Sequence, residues 1–319
     1  MHYELTDQQS YTQVHLKYPR NYLNYRTTHL ILVNTVSSES KPRFIPPQVR
    51  ERLKIIEEKM KLVKHRLVIM SGKGGVGKSF IASNLAVALA SLNLKVGLMD
   101  VDFHGPSAPK MLGLKGRKLI VTTEGIEPAV GPLGVKVMSL DFLLPSSDTP
   151  VVWRGPLKTT AIMQFVSDVN WGELDFLVID MPPGTGDEAL TVAQYLPKVD
   201  GALFVTIPSE ISIEVVGRSI AFAKQVGIRP IGVIENMSGF YCPKCKTLYK
   251  LLGKGTGKEI AEKYNIEFLG EIPLDPRIAE ANDSGTPITL AYPESEVSKR
   301  IINISKRVHE MIKSTTEQV

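Results

Sequence analysis

The sequence predicts a doubly wound α/β fold, a mostly parallel sheet with helices on both faces. Three observations predict it. Short apolar runs of strand length recur from Arg66 onward: "RLVIM", "KVGLMD", "VKVMSL", "FLVIDM", "GALFVTI", "PIGVIEN" and "EFLGEI". Helical patterns lie between several of them, at residues 79–92, 156–166, 188–196 and 212–226, and a terminal helix follows at 295–313. Near-continuous apolar strands alternating with helices are what a sheet covered on both faces requires. The third observation is a glycine-rich turn, "GKGGVGKS", set between the first strand and the helix after it.

Each segment follows in order. Residues 1–45 read as an irregular N-terminal extension, holding five of the ten tyrosines and no persistent helical or strand period. Residues 46–65 read as a helix. Val49, Leu53, Ile56, Met60 and Val63 recur at 4-3-4-3 spacing and form one apolar stripe, and two prolines suit its first turn. Residues 66–319 carry the strands, the phosphate loop and the cysteines as one domain. Apolar residues make up 43% of the 319, enough for a sizeable core.

Composition excludes several function classes. No run of 18 apolar residues exists, so no membrane span is expected, and the N-terminus lacks the apolar stretch of a secretory signal. The net charge of +5 is mildly basic, but no basic stripe interleaves with aromatics, so nucleic acid is not an expected partner. Only two cysteines occur, Cys242 and Cys245, too close to staple a fold. That usage fits a reducing compartment, and a cytoplasmic location is expected.

Gly72–Ser79 matches the phosphate-loop pattern G-x-x-x-x-G-K-[ST]. Gly72, Lys73, Gly74, Gly75, Val76 and Gly77 bring backbone N–H groups close to phosphates, and the helix N-terminus adds partial positive charge. Lys78 is placed to reach the β- and γ-phosphates, and the Ser79 hydroxyl to ligate Mg²⁺. The strand "FLVIDM" ends in Asp180, a carboxylate placed for the same Mg²⁺. "PPGTGD" after it mixes rigid prolines with free glycines, as suits a loop that reorders with nucleotide state. "LMDVDFHGPS" places Asp100 and Asp102 at a strand's carboxyl end, where such sheets bind ligands. Asp100 reads as support for the metal shell or the fold, and His104 as structural.

One lysine suffices for such a loop, and this one has a second, Lys73. In that respect "GKGGVGKS" resembles the deviant Walker A motif of the MinD/ParA/nitrogenase-iron-protein class. The resemblance implies an ATP-bound face-to-face dimer in which Lys73 reaches the partner's nucleotide and stabilises charge in the transition state. It implies that Asp102 orients the attacking water, making Lys73, Lys78, Asp102 and Asp180 the catalytic set. It also implies that Asn236 of "VIENMS" reads the adenine edge, and that the loop at Pro273–Asp275 flanks the base.

"FYCPKCKT" supplies a CxxC pair that reads as a loop. Alone it is compatible with a redox pair, half a metal site or chance. Two thiolates cannot complete a tetrahedral zinc or cubane iron–sulfur site. A twofold dimer repeats the pair and brings four thiolates together. Lys244 and Lys246 are expected to lower the thiol pKa values.

Taken together, "SGKGGVGKS", "DVDFHGPSAPKMLG", "VVWRGP", "DFLVIDMPPGTGDEALTVAQ", "ENMSGFYCPKC" and "GEIPLDPRIAEANDSGTPI" resemble the Mrp/ApbC family of P-loop iron–sulfur carriers, over about residues 66–314. The resemblance implies a homodimer that holds a labile 4Fe–4S cluster between its Cys242 and Cys245 pairs, hydrolyses ATP and passes the cluster to apo-proteins. The eukaryotic cytosolic branch carries a further N-terminal four-cysteine motif, but residues 1–65 here contain no cysteine. Rival readings are a MinD/ParA-like positioning ATPase with a lipid-binding C-terminal helix, an ATPase with zinc bridging the dimer, and a small-molecule kinase.

Overall fold

The computed structural model describes residues 47–103, 105–143, 155–242, 244–245, 247–253 and 255–316. The extension at 1–45, His104, Lys246 and most of "VVWRGP" lie outside the described residues.

Seven parallel strands form the sheet: β1 (Val63–Ser71), β2 (Val96–Asp100), β3 (Lys136–Ser139), β4 (Leu174–Asp180), β5 (Gly201–Thr206), β6 (Pro230–Tyr241) and β7 (Glu267–Leu274). Their spatial order is β7-β6-β5-β1-β4-β2-β3. Two short antiparallel pieces complete nine strands, Ala129–Val130 on β3 and Leu248–Tyr249 on the far end of β6. The central strands are buried on both faces, which is why they read as unbroken apolar runs.

Among the described residues eight longer helices accompany the sheet: α1 (Pro47–Met60), α2 (Lys78–Ala90), α3 (Gly155–Ser167), α4 (Asp187–Tyr195), α5 (Glu210–Gln225), α6 (Gly257–Tyr264), α7 (Pro276–Ser284) and α8 (Glu296–Thr316). Every residue of α2 except Ser79 is buried, because the helix is packed between β2 and α8. On α8, Val297, Ile301, Ile304, Val308 and Ile312 are all buried. The apolar stripe that a lipid-binding reading would need is therefore spent on the core. Among the described residues no helix is long and apolar enough to cross a membrane.

Three expectations are corrected here. The apolar stripe of α1 ends at Met60, and Val63 instead opens β1, three residues before the predicted strand. Strand period and helix period both place an apolar residue at 63, and only pairing with Leu174 on β4 decides between them. Pro273 lies inside β7 rather than in a loop after it, and Asp275 caps α7 by accepting the Arg277 N–H at 3.0 Å. Finally, β6 runs beyond the predicted "PIGVIEN" to Tyr241, and Leu248–Tyr249 returns along it, so the loop expected for the CxxC pair is the turn of a β-hairpin.

Candidate nucleotide and thiol site

Register places the acidic groups. β2 and β4 are adjacent, with Asp100 directly opposite Asp180, and β1 brings Ile69 beside Asp180 from the other side. The phosphate loop starts at Gly72, three residues beyond Ile69, so loop and carboxylates share the carboxyl end of the sheet.

The loop needs its glycines for different reasons. Gly75 and Gly77 have φ of 78° and 83°, left-handed values that L side chains rarely adopt. Gly77 is also crowded: a Cβ there would lie 2.2 Å from the Asn236 amide nitrogen. At Gly72 a Cβ would meet the Val215 backbone of α5 at 2.6 Å. At Gly74 and Gly75 a Cβ would meet no described atom within 4 Å. Lys73 is half-buried, and its carbonyl accepts the Ser71 hydroxyl at 3.0 Å.

Lys78 turns inward. Its Nζ lies 2.5 Å from Asp180 Oδ1 and 3.5 Å from Asp102 Oδ2, and the side chain is almost wholly buried. Burial acts to lower the ammonium pKa, but the Asp180 and Asp102 carboxylates outweigh it and raise the group. Burial raises Asp180 against the pull of Lys78 and the Ser79 hydroxyl. Asp180 Oδ2 is buried with no hydrogen-bond partner among the described residues, and an orphaned oxygen on a carboxylate that also meets the Ser79 hydroxyl suits a Mg²⁺ ligand set. Asp100 is raised to about 7 by burial and by the neighbouring Asp180. It accepts the N–H groups of Asp102 and Ala108, at 3.1 and 3.3 Å, and the Ser139 hydroxyl at 3.1 Å. Asp100 thus shapes the turn that presents Asp102.

Asn236 lies beneath the loop, donating from its amide to the Val76 carbonyl at 2.9 Å. One amide hydrogen is thereby engaged by the loop. The predicted adenine contact would fall to the rest of the amide.

At the hairpin, Cys242 is half-buried and Cys245 exposed. The Cys242 N–H donates to the Thr247 carbonyl at 3.0 Å, closing the turn. Cys245 Sγ lies 3.6 Å from the Tyr249 hydroxyl. Its thiol is lowered to about 6, first by the Thr247 hydroxyl and then by the Tyr249 hydroxyl, the Thr247 N–H and Cys242. Among the described residues the leading causes are hydrogen-bond donors rather than the Lys244 charge; Lys246, the other lysine the sequence pointed to, lies outside them. Leu248, Tyr249, Leu251 and Leu252 are exposed beside the thiols. Ile211, also exposed, begins the helix next to the segment at Gly253, whose Cβ position is 3.2 Å from the Pro208 carbonyl.

Two residues escaped sequence reasoning. Lys158 Nζ is 2.5 Å from Glu188 Oε1 in the helix after "PPGTGD" and 5.5 Å from the Phe103 ring in "DVDF", so one cation lies between the first turn of α4 and the segment after β2. No local pattern marks it. Glu235, buried in β6, accepts the Thr256 and Gly257 N–H groups at 2.6 and 2.7 Å and so fixes the start of α6. A glutamate inside the apolar run "PIGVIEN" was a visible signal.

A glycine loop on a helix N-terminus, an inward lysine and two strand-end carboxylates define a P-loop NTPase. The family model described as the NUBPL iron-transfer P-loop NTPase matches residues 62–309, and the chain belongs to that family. It is 55% identical over 259 residues to the iron–sulfur cluster carrier protein of Saccharolobus solfataricus, covering 81% of this chain and 88% of that one. It is 49% identical to the carrier of Methanocaldococcus jannaschii, over 82% and 90% of the two chains. Among solved structures, a nucleotide-binding protein from Archaeoglobus fulgidus in complex with ADP aligns with a TM-score of 0.66 and 43% identity, over 73% and 91%. The septum site-determining protein MinD of Pyrococcus horikoshii, complexed with Mg-ADP, aligns at 0.59 and 23% identity over 78% and 97%, a likeness of fold.

Proposed function

We propose that this chain is an ATP-hydrolysing iron–sulfur cluster carrier that holds a 4Fe–4S cluster between two copies of itself and delivers it to apo-proteins in the cytoplasm. The observation that carries this reading is the hairpin: two accessible thiols, one of them acidified, stand on an exposed apolar rim in a chain with no other cysteine. Among the described residues no group of three or more His, Cys, Asp or Glu is placed to hold a metal ion. A second copy supplies the missing two thiolates by symmetry, and the apolar rim suits self-association.

At the nucleotide site, the Gly72–Ser79 backbone and Lys78 hold the phosphates, and Ser79 with Asp180 holds Mg²⁺. With nucleotide bound, Lys78, which here meets Asp180 and Asp102, would turn to phosphate oxygens, and Asp180 would be available to hold the metal. Asp102 positions the attacking water, and Lys73 reaches across to the partner's phosphates. Asn236 and Pro273 line the base.

Anaerobic reconstitution with iron and sulfide tests the reading, followed by visible absorption, metal analysis and light scattering. One four-iron cluster per dimer is expected, lost in Cys242→Ser and Cys245→Ser. Zinc in place of iron, or a cluster that survives both substitutions, would refute it.

A further inference from the structure

We propose that Met237 is a positioning residue: its left-handed backbone holds a bulge in β6 that transmits the state of the phosphate loop to the cysteine hairpin. This rests on the reading above that nucleotide and cluster sites serve one function.

The path is short and continuous. β6 runs from Asn236, which is bonded to the Val76 carbonyl, to Tyr241, and Cys242 follows at once. No helix or separate loop intervenes. Within this stretch Met237 has φ of 55°. A methionine in a strand reaches that conformation only when its surroundings impose it. The side chain reaches the phosphate loop: Met237 Cε lies 3.9 Å from where a Cβ on Gly77 would stand.

Pairing with β7 fails at the same place. Ile272 is opposite Asn236, but the next pair is Leu274 with Phe240. Pro273 alone therefore spans Met237, Ser238 and Gly239. A proline has no N–H to give to the ladder, which accounts for the gap. Ser238, in the middle of the bulge, has a buried hydroxyl with no hydrogen-bond partner among the described residues. Two local penalties thus coincide in three residues, a left-handed methionine and an orphaned hydroxyl. A segment held in this way is poised for a second arrangement.

Anchors on either side confine the movement. Upstream, Glu235 is fixed by the Thr256 and Gly257 N–H groups. Those same groups end the segment that returns from the hairpin, so both arms are clamped to one carboxylate. Beyond the bulge, Phe240 and Tyr241 pair with Tyr249 and Leu248 of the returning strand, and Gly239 passes so close that a Cβ there would lie 2.9 Å from the Tyr249 carbonyl, which ties the end of the bulge to that strand. A change at Val76 and Gly77 on phosphate binding shifts Asn236, the bulge yields, and the hairpin with Cys242 and Cys245 is re-aimed.

The test uses the cluster-free full chain. Hydrogen exchange of the amides of residues 240–249 is followed with and without Mg-ADP and Mg-AMPPNP. The native hairpin is expected to change exchange rate on nucleotide binding by about tenfold, equivalent to about 1.4 kcal/mol. Met237→Gly, which adopts the same φ without penalty, is expected to cut that response below about twofold, a residual of about 0.4 kcal/mol, while binding the nucleotides with unchanged affinity. Ser238→Ala, which removes the orphaned hydroxyl and leaves φ alone, is expected to reduce the response partway. A native hairpin indifferent to nucleotide, or a Met237→Gly response equal to the native one, overturns the proposal. Cluster release to a chelator from the reconstituted dimer is measured in parallel. Release that ignores nucleotide while the amides respond would reject the carrier coupling and leave the Met237 link standing.

Discussion

Replacing Gly77 by alanine separates two costs that the phosphate loop imposes. Gly77 and Gly75 share a left-handed backbone, at 83° and 78°. An alanine at either position pays the left-handed penalty of about 1–2 kcal/mol. At Gly75 the new methyl group meets nothing within 4 Å. At Gly77 it would lie 2.2 Å from the Asn236 amide nitrogen, which must move and break its 2.9 Å bond to Val76. Leaving those buried groups unpaired adds about 1–3 kcal/mol. Gly75→Ala should then cost about 1–2 kcal/mol and Gly77→Ala about 2–5 kcal/mol. In a domain of this size the difference amounts to several degrees in Tm, at roughly 2–4 °C per kcal/mol. Urea unfolding of the nucleotide-free protein measures both. In an Asn236→Ala background the excess at Gly77 should vanish. Equal losses at the two glycines would show that Asn236 does not buttress the loop.

Other predictions follow from the same site. Asp100 is held near 7, well above a free carboxyl, so the folded protein binds more protons than the unfolded chain between about pH 4 and 7. Its contribution therefore falls as pH rises through that window, by up to about 1.4 kcal/mol per pH unit, and Asp100→Asn should flatten the stability profile measured by urea titration. Lys158→Met removes the cation shared by Glu188 and Phe103, and should slow ATP turnover about tenfold with little change in ADP affinity measured by calorimetry. Lys73→Ala should leave each chain able to bind ATP but abolish ATP-dependent dimerisation, read by light scattering. Persistence of the dimer would remove Lys73 from the interface.

The parts of this protein that obey a short-range rule were legible in the sequence. β1, α2, β2 and β4 announce themselves because a sheet covered on both faces needs unbroken apolar strands. The loop announces itself because backbone can approach phosphate only where glycines leave room. Asp180 was legible as an acid ending an apolar strand. The cysteines were legible by counting, although the hairpin that presents them was not, since its pairing joins residues with no shared local pattern. The β7 boundary was misplaced for a related reason. A proline reads as the end of a strand, yet here the ladder resumes beyond it at Leu274 and Phe240.

What the sequence determined by itself was the inventory: which groups could bind phosphate, metal and sulfur, and the alternation of elements that carries them. The tertiary structure decided their company. It set Asp100 opposite Asp180, turned Lys78 onto both Asp180 and Asp102, engaged one Asn236 amide hydrogen on Val76, and placed Lys158 between Glu188 and Phe103. Those outcomes depend on strand register and on which helix covers which strand. They are fixed by the joint packing of residues tens to hundreds of positions apart, which no local periodicity encodes.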